Sequence, residues 1–229
     1  MNRRKIMYRC VLFDMDGTLI NSYDGIFHAY QYTLKKMNTS FGGDVFVRRA
    51  IGAPLPFIFK HVCGMDDSEV PKAIQHYRHY YSEKGKQELK VYDGMKQALH
   101  SLKDYGCFLG IATLKKESFA KEILKDLGLL SYFDVVCGMD EEDRLTKTIL
   151  IKKCMQRANA SQNETVLVGD SEFDAAGAKE AGIDFLAVTY GFGFLHRTPE
   201  EFRLKITASM PSEIPTQLHR MKKLKEGEK

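Results

Sequence analysis

Cysteine is sparse and unpatterned in this 229-residue chain. Cys10, Cys63, Cys107, Cys137 and Cys154 are odd in number, and none forms a Cys-x-x-Cys pair or has a histidine at zinc-ligand spacing. That argues against a disulfide framework or a zinc module, and reduced cytosolic thiols are the simplest account. Cys10 and Cys107 fall inside apolar runs and read as small core residues. Long apolar runs are also missing: none approaches the ~18 residues a membrane span needs. The basic start at residues 1–5 leads into Val11-Leu12-Phe13 in the manner of a signal peptide, but Asp14 and Asp16 interrupt it too early. The expected location is the cytoplasm, with no membrane partner. Excess charge of one sign is slight, at +4, and much of it sits in the run Arg220, Lys222, Lys223 and Lys225. A terminal run without interleaved aromatics reads as a solvated or frayed helix, not a nucleic-acid surface. There is no internal repeat and no low-complexity tract.

What is present is an ordinary globular composition, 44% hydrophobic and 28% charged. The length suits one generous domain, or a core carrying a smaller insertion. Apolar runs at 8–13, 107–112, 135–137, 165–168 and 185–188 read as buried strands. Helical patterns fill 94–105, 117–127, 147–158 and 171–181, with Gly106, Gly128 and Gly182 placed as C-terminal glycines. This alternation predicts a Rossmann-like α/β core, three layers around a parallel sheet. The stretch 22–90 breaks the pattern. It shows no convincing strand, and Ile26, Tyr30 and Leu34 repeat at helical spacing. Four short helices forming a cap domain at 21–90, inserted in a core made of 1–20 and 91–229, are the expected organisation.

The chemistry is concentrated where strands end. Val11-Leu12-Phe13 runs into Asp14-Met15-Asp16-Gly17-Thr18, two acids one residue apart. Ligands of open parallel sheets bind at the carboxyl ends of strands. Paired carboxylates resist joint ionisation unless a cation is near, and Mg²⁺ takes oxygen ligands. A solvated turn accounts for the first cluster alone. A second strand, however, ends in Asp170-Ser171-Glu172-Phe173-Asp174, with Asp170 and Asp174 four residues apart at a helix start. Helix capping explains Asp170 or Ser171, but not two separate strand ends with paired acids. Thr113 follows the apolar run at 107–112, as a hydroxyl at the same sheet edge or an ordinary N-cap. Lys147 opens a helix, where the dipole disfavours a cation and an anionic neighbour would offset the cost. A carboxylate nucleophile, a second acid, a hydroxyl, a lysine and metal-binding acids together equip a site for phosphoryl transfer.

With these motifs in order over nearly its whole length, the chain resembles the haloacid dehalogenase (HAD) superfamily of phosphatases. Asp14 through Thr18 is similar to the first motif, Thr113 to the second, Lys147 to the third, and Asp170 through Asp174 to the fourth. The insertion resembles the helical cap of the phosphoglycolate phosphatase and beta-phosphoglucomutase branch. Ile51-Gly52-Ala53-Pro54-Leu55 looks like the Ile-Gly-Pro-Pro-Leu of phosphoglycolate-phosphatase-like members. The resemblance implies Asp14 as nucleophile forming an aspartyl-phosphate, and Asp16 as general acid and base. It implies phosphate binding by Thr113, the Leu114 backbone and Lys147. Mg²⁺ would be held by Asp14, the Asp16 carbonyl and Asp170, with Asp174 in support. Three positions depart from the pattern: Leu114 replaces a common Asn, Asn21 an Asp, and Ala53 a Pro.

The activity so implied is a Mg²⁺-dependent phosphomonoester hydrolase of small phosphorylated metabolites, with phosphoglycolate as the substrate by resemblance. The alternative is a sugar phosphomutase of beta-phosphoglucomutase type. Dehalogenation would leave Asp16 and the Asp170 cluster without purpose, and a non-catalytic module would lack one of the five key residues. The cap residues expected to bear on specificity are His28, as a group titrating near neutrality, and Arg48 or Arg49, as anion clamps. A monomer or homodimer is expected, with a small phosphorylated metabolite as ligand and no nucleic acid.

Overall fold

The structure, a computed structural model, describes residues 7–194, 204 and 206–227; the basic start at 1–5 lies outside them. A six-stranded sheet runs in the order β5 (Val135–Met139), β4 (Phe108–Lys116), β1 (Cys10–Phe13), β6 (Thr165–Gly169), β7 (Asp184–Val188), β8 (Thr207–Ala208). Every pairing in it is parallel. The chain winds outward from β1 to β4 and β5, then returns to β1's other edge with β6. β1 is therefore the switch point of the topology, where a parallel sheet opens its crevice.

Period-two alternation along β1 makes the three layers. Cys10 and Leu12 pack with Leu150, Ile151 and Cys154 of α7 (Lys147–Ala158) and with Ala178 and Ala181 of α8 (Glu172–Ala181). Val11 and Phe13 face the opposite layer. There they meet Leu99 and Leu102 of α5 (Met95–Asp104), Ile123 and Leu124 of α6 (Glu117–Asp126), and Leu218 of α9 (Ile214–Gly227). Leu12 and Phe13 are completely buried, and each contributes roughly 1.5–3 kcal/mol. The basic C-terminal run is not frayed. It lies on α9, where Lys222 sits 5.1 Å from the Tyr8 ring centroid and donates to the Asn163 carbonyl, while Lys225 pairs with Asp184 at 2.9 Å.

The second strand is longer than its apolar run. Ala112 pairs with Cys137 and Lys116 with Met139, so four steps along β4 answer two along β5. This bulge carries Thr113, Leu114 and Lys115. Thr113 therefore lies inside the strand, not after it, because a bulge continues pairing while re-aiming side chains.

Between the sheet's first two strands in sequence lies a helical segment. A two-stranded antiparallel ribbon, β2 (Ile20–Asn21) with β3 (Lys90–Val91), brings its two ends together. Strands this short leave no periodic signal, and Lys90 belongs to one of them. Between them come α1 (Tyr23–Lys36), α2 (Gly43–Ala50), α3 (Leu55–Phe57) running into a π-helical turn over Ile58–Val62, and α4 (Val70–Glu83). Aromatic rings seat α1 on α4: the Tyr30 and Tyr77 centroids are 4.8 Å apart, and Phe59 closes the cluster at 5.8 Å from Tyr30. All five cysteines are free thiols. Among the described residues no helix is long and apolar enough to cross a membrane.

Because β1 serves both core layers, Leu12→Ala is expected to destabilise the fold by about 2–5 kcal/mol. The same truncation at Val45, 60% exposed on α2, is expected to cost under about 0.5 kcal/mol. Urea unfolding of the two variants measures both, and equal midpoints would refute the assignment of β1 as the centre of the core.

Candidate active site

Four chain segments converge at the carboxyl end of β1. Asp14 follows the strand directly, and its backbone N–H donates to the Val168 carbonyl of β6 at 2.9 Å. Asp170 and Asp174 come from the end of β6 and the first turn of α8. Ser171 is the N-cap there: its hydroxyl accepts from the Asp174 N–H, and the Asp174 carboxylate accepts from the Ser171 N–H and, at 2.6 Å, its hydroxyl. This is a capping box, so Asp174 is committed on one oxygen to its own helix.

Lys147, first residue of α7, fills the gap between the acids. Its Nζ lies 2.6 Å from Asp14 Oδ1 and 2.7 Å from Asp174 Oδ1, and donates to the Ala112 carbonyl at 2.9 Å. The ion pairs offset the cost of a cation at a helix N-terminus. Close packing of α8 makes room: a Cβ at Gly177 would stand 2.6 Å from Lys147 Cγ. Burial alone would lower the Lys147 pKa, but Asp14 and Asp174 outweigh it and the ammonium is held charged.

One ammonium does not balance three carboxylates. Asp14, Asp170 and Asp174 are all buried, with ligand oxygens within 4.8 Å of one another. Burial first, then the repulsion of Asp174 and Asp14, pushes Asp170 well above the usual carboxylate range. Burial also raises Asp14, with Lys147 opposing and Asp174 adding to the rise. Two negative charges are left over, which is the charge of one divalent cation, and hard oxygen donors suit Mg²⁺. Asp170 is aimed by the loop beyond β7: its Oδ2 accepts from the Phe192 N–H at 2.7 Å and the Gly193 N–H at 3.2 Å, and Oδ1 from Thr18 at 3.3 Å. Gly17 allows this approach. Its φ is +82°, and a Cβ there would fall 2.2 Å from Asp170 Oδ2.

Asp16 is held apart from the triad. Its Oδ1 accepts from Ser22 at 2.5 Å and its Oδ2 pairs with Lys115 at 3.0 Å. Lys115 was not singled out from the sequence, where it is one of two adjacent lysines. The β4 bulge turns it inward, and its Nζ also donates to the Tyr81 hydroxyl at 2.8 Å. Asp16 and Tyr81 together overcome burial and keep Lys115 charged.

These groups face a cavity of about 80 Å³. Asp14, Asp16, Thr113, Leu114 and Lys147 line one side. The helical segment supplies the other, with Ile51 and Leu55 near α3 and with Tyr77, Arg78 and Tyr81 on α4. His28, Arg48 and Arg49 do not line it. His28 pairs with Glu88 at 2.8 Å on the outer face of α1, Arg48 pairs with Asp44 at 2.6 Å beside the Tyr23 ring, and Arg49 is exposed. The cavity's arginine is Arg78, one of several polar residues on α4 and unmarked by any motif.

The family model for haloacid dehalogenase-like hydrolases matches residues 11–188. The chain belongs to the haloacid dehalogenase-like hydrolase family. It is an enzyme, and its relatives include proteins named as a 5'-nucleotidase, phosphatases and pyrophosphatases, and also a mycobacterial tyrosine-protein kinase. It is similar to a 5'-nucleotidase of Pseudomonas aeruginosa, 29% identical over 84% of this chain and 88% of that protein. It is also similar to pyrophosphatase PpaX of Halalkalibacterium halodurans, at 30% over 79% and 83%. A crystal structure from Clostridium acetobutylicum, described as that of a predicted phosphatase, superposes with a TM-score of 0.84 at 35% identity, covering 96% of this chain and 99% of that one.

The crowding of carboxylates in this HAD hydrolase has a measurable sign. A carboxyl whose folded pKa is raised binds its proton more tightly when folded. Its penalty is therefore absent below the ordinary value near ~4 and grows as pH rises toward the raised one. In metal-free buffer, Asp170→Asn should stabilise the protein by on the order of 2 kcal/mol at pH 8 and by little at pH 5. Urea unfolding with a chelator at both pH values checks this; an equal shift at both would contradict the charge argument.

Proposed function

We propose that this protein is a Mg²⁺-dependent phosphomonoester hydrolase of the cytoplasm, acting on small phosphorylated metabolites through an aspartyl-phosphate on Asp14. The observation that carries the reading is the buried set of Asp14, Asp170 and Asp174, in which Asp14 and Asp174 share the ammonium of Lys147. Asp14, Asp170 and the backbone carbonyl of Asp16 would hold Mg²⁺, with Asp174 in support. The ion would neutralise charge on the transferring phosphoryl group.

Lys147 binds Asp14 Oδ1, which orients the carboxylate and leaves Oδ2 to attack phosphorus. The Thr113 hydroxyl and the Leu114 N–H are the proposed donors to the phosphoryl oxygens, and Lys147 offsets their charge. Asp16 protonates the departing oxygen and then takes a proton from the water that hydrolyses the aspartyl-phosphate. Ser22 and Lys115 keep its carboxylate at the cavity edge. Residues 21–90 act as the cap, with the β2–β3 ribbon as hinge, and closure shields phosphoryl transfer to Asp14 from bulk water.

Phosphate release from a panel of small phosphomonoesters is expected to require Mg²⁺ and to stop on chelation. Asp14→Asn should lower kcat by at least about 1,000-fold, and Asp16→Asn by about 10²–10⁴-fold. Metal-independent release, or an Asp14→Asn variant keeping a tenth of the activity, would rule the mechanism out.

A further inference from the structure

The cavity has a charged group at each end, and only one end belongs to the chemistry above. At the other, Arg78 of α4 reaches across to the loop after β5, where its Nη2 donates to Asp143 Oδ1 at 2.6 Å. Both side chains are largely buried, at 19% and 12% exposure. Arg78 lines the inner cavity and also the cleft that leads outward past Gln75, His79 and Glu142. It therefore stands in the wall between the site and solvent.

The pair is a poor structural fastener. Asp143 adopts φ +55°, a left-handed conformation that side-chain-bearing residues seldom take. Burial raises its pKa, with Arg78 only partly opposing the rise. A buried ion pair of this kind adds little net stability, because desolvation offsets the attraction. The other cavity cations are engaged with groups of the site or its rim: Lys147 with Asp14 and Asp174, Lys115 with Asp16, Lys116 with Glu141. Among the described residues Arg78 makes one hydrogen bond, to one carboxylate oxygen, from a guanidinium built to grip anions with two parallel bonds.

We propose that Arg78 receives a second anionic group of the substrate, on the leaving-group side of the scissile bond, and that Asp143 occupies its place in the ligand-free protein. This rests on the phosphatase reading only for which end of the ligand lies at Asp14. The substrate class is then a small phosphoryl compound carrying a carboxylate or a second phosphate. An incoming anion replaces Asp143 on Arg78, so the desolvation of the guanidinium is already met in the free protein and selectivity for dianionic ligands follows.

Titration calorimetry in Mg²⁺ with non-hydrolysable probes tests the inference without turnover. Phosphonoacetate carries the second anion as a carboxylate and methylenediphosphonate as a phosphonate; ethylphosphonate has none. Wild type should favour one of the two-anion probes over ethylphosphonate by about 10- to 100-fold, and the better of the two identifies the second group. Arg78→Gln should collapse that ratio, Arg78→Lys should restore part of it, and Asp143→Asn should tighten the two-anion probe several-fold. The double variant Arg78→Gln, Asp143→Asn removes the pair without leaving a buried charge, and should show the same collapse. Equal binding of all probes by wild type, or a ratio unchanged in Arg78→Gln, would overturn the proposal while leaving the phosphatase reading intact. Preserved selectivity with no phosphate released from 2-phosphoglycolate or pyrophosphate would instead sink the phosphatase reading and keep this one.

Discussion

Three carboxylates buried against one ammonium are the constraint around which this molecule is organised. Such a cluster is unfavourable in isolation, since each acid is desolvated and repelled by the others. The fold spends its local devices on containing it. The α8 capping box ties down Asp174, two backbone N–H groups beyond β7 hold Asp170, and the approach of α8 at Gly177 presses Lys147 between Asp14 and Asp174. None of these devices removes the surplus charge. The surplus equals the charge that one divalent cation would offset.

The same economy governs how the helical segment meets the sheet. Two polar links cross from α4 to the core: the Tyr81 hydroxyl to Lys115 and Arg78 to Asp143. Both cross at the cavity, and both involve residues whose charge the cavity needs. Tyr81 and Asp16 share Lys115, so the position of α4 is coupled to the carboxylate proposed as general acid. A movement of the segment would loosen Lys115 from the hydroxyl and leave Asp16 as its remaining anionic partner. In the proposed mechanism, closure and proton transfer would be tied through one ammonium, with no contact between Asp16 and α4 required.

The core layers and the chemical residues were legible in the sequence because strong local rules mark them. Five short apolar runs between helical periods identify a parallel sheet, and acids at two strand ends are too costly to stand there by accident of capping. What was not legible depends on long-range placement. The ribbon strands Ile20–Asn21 and Lys90–Val91 and the edge strand Thr207–Ala208 are too short for any period to register. The bulge that turns Lys115 inward is a mismatch of four residues against two between strands, and a single strand carries no trace of it. Arg48 and Arg78 look equally plausible on their helices. Only the packing of α2 and α4 in the folded chain decides which of them reaches the cavity.

That division follows from where the free energy comes from. The candidate site residues sit at the ends of strands buried on both faces or on the first turns of helices packed against them, where a displacement would disturb the whole core. Arg78 sits on a helix held to its neighbour by aromatic packing, and Asp143 on a loop. A substitution at that end alters which ligand fits without disturbing β1, so selectivity can change while the carboxylate cluster stays as it is. The cavity's two ends therefore answer to different constraints, one set by the sheet and one by the insertion.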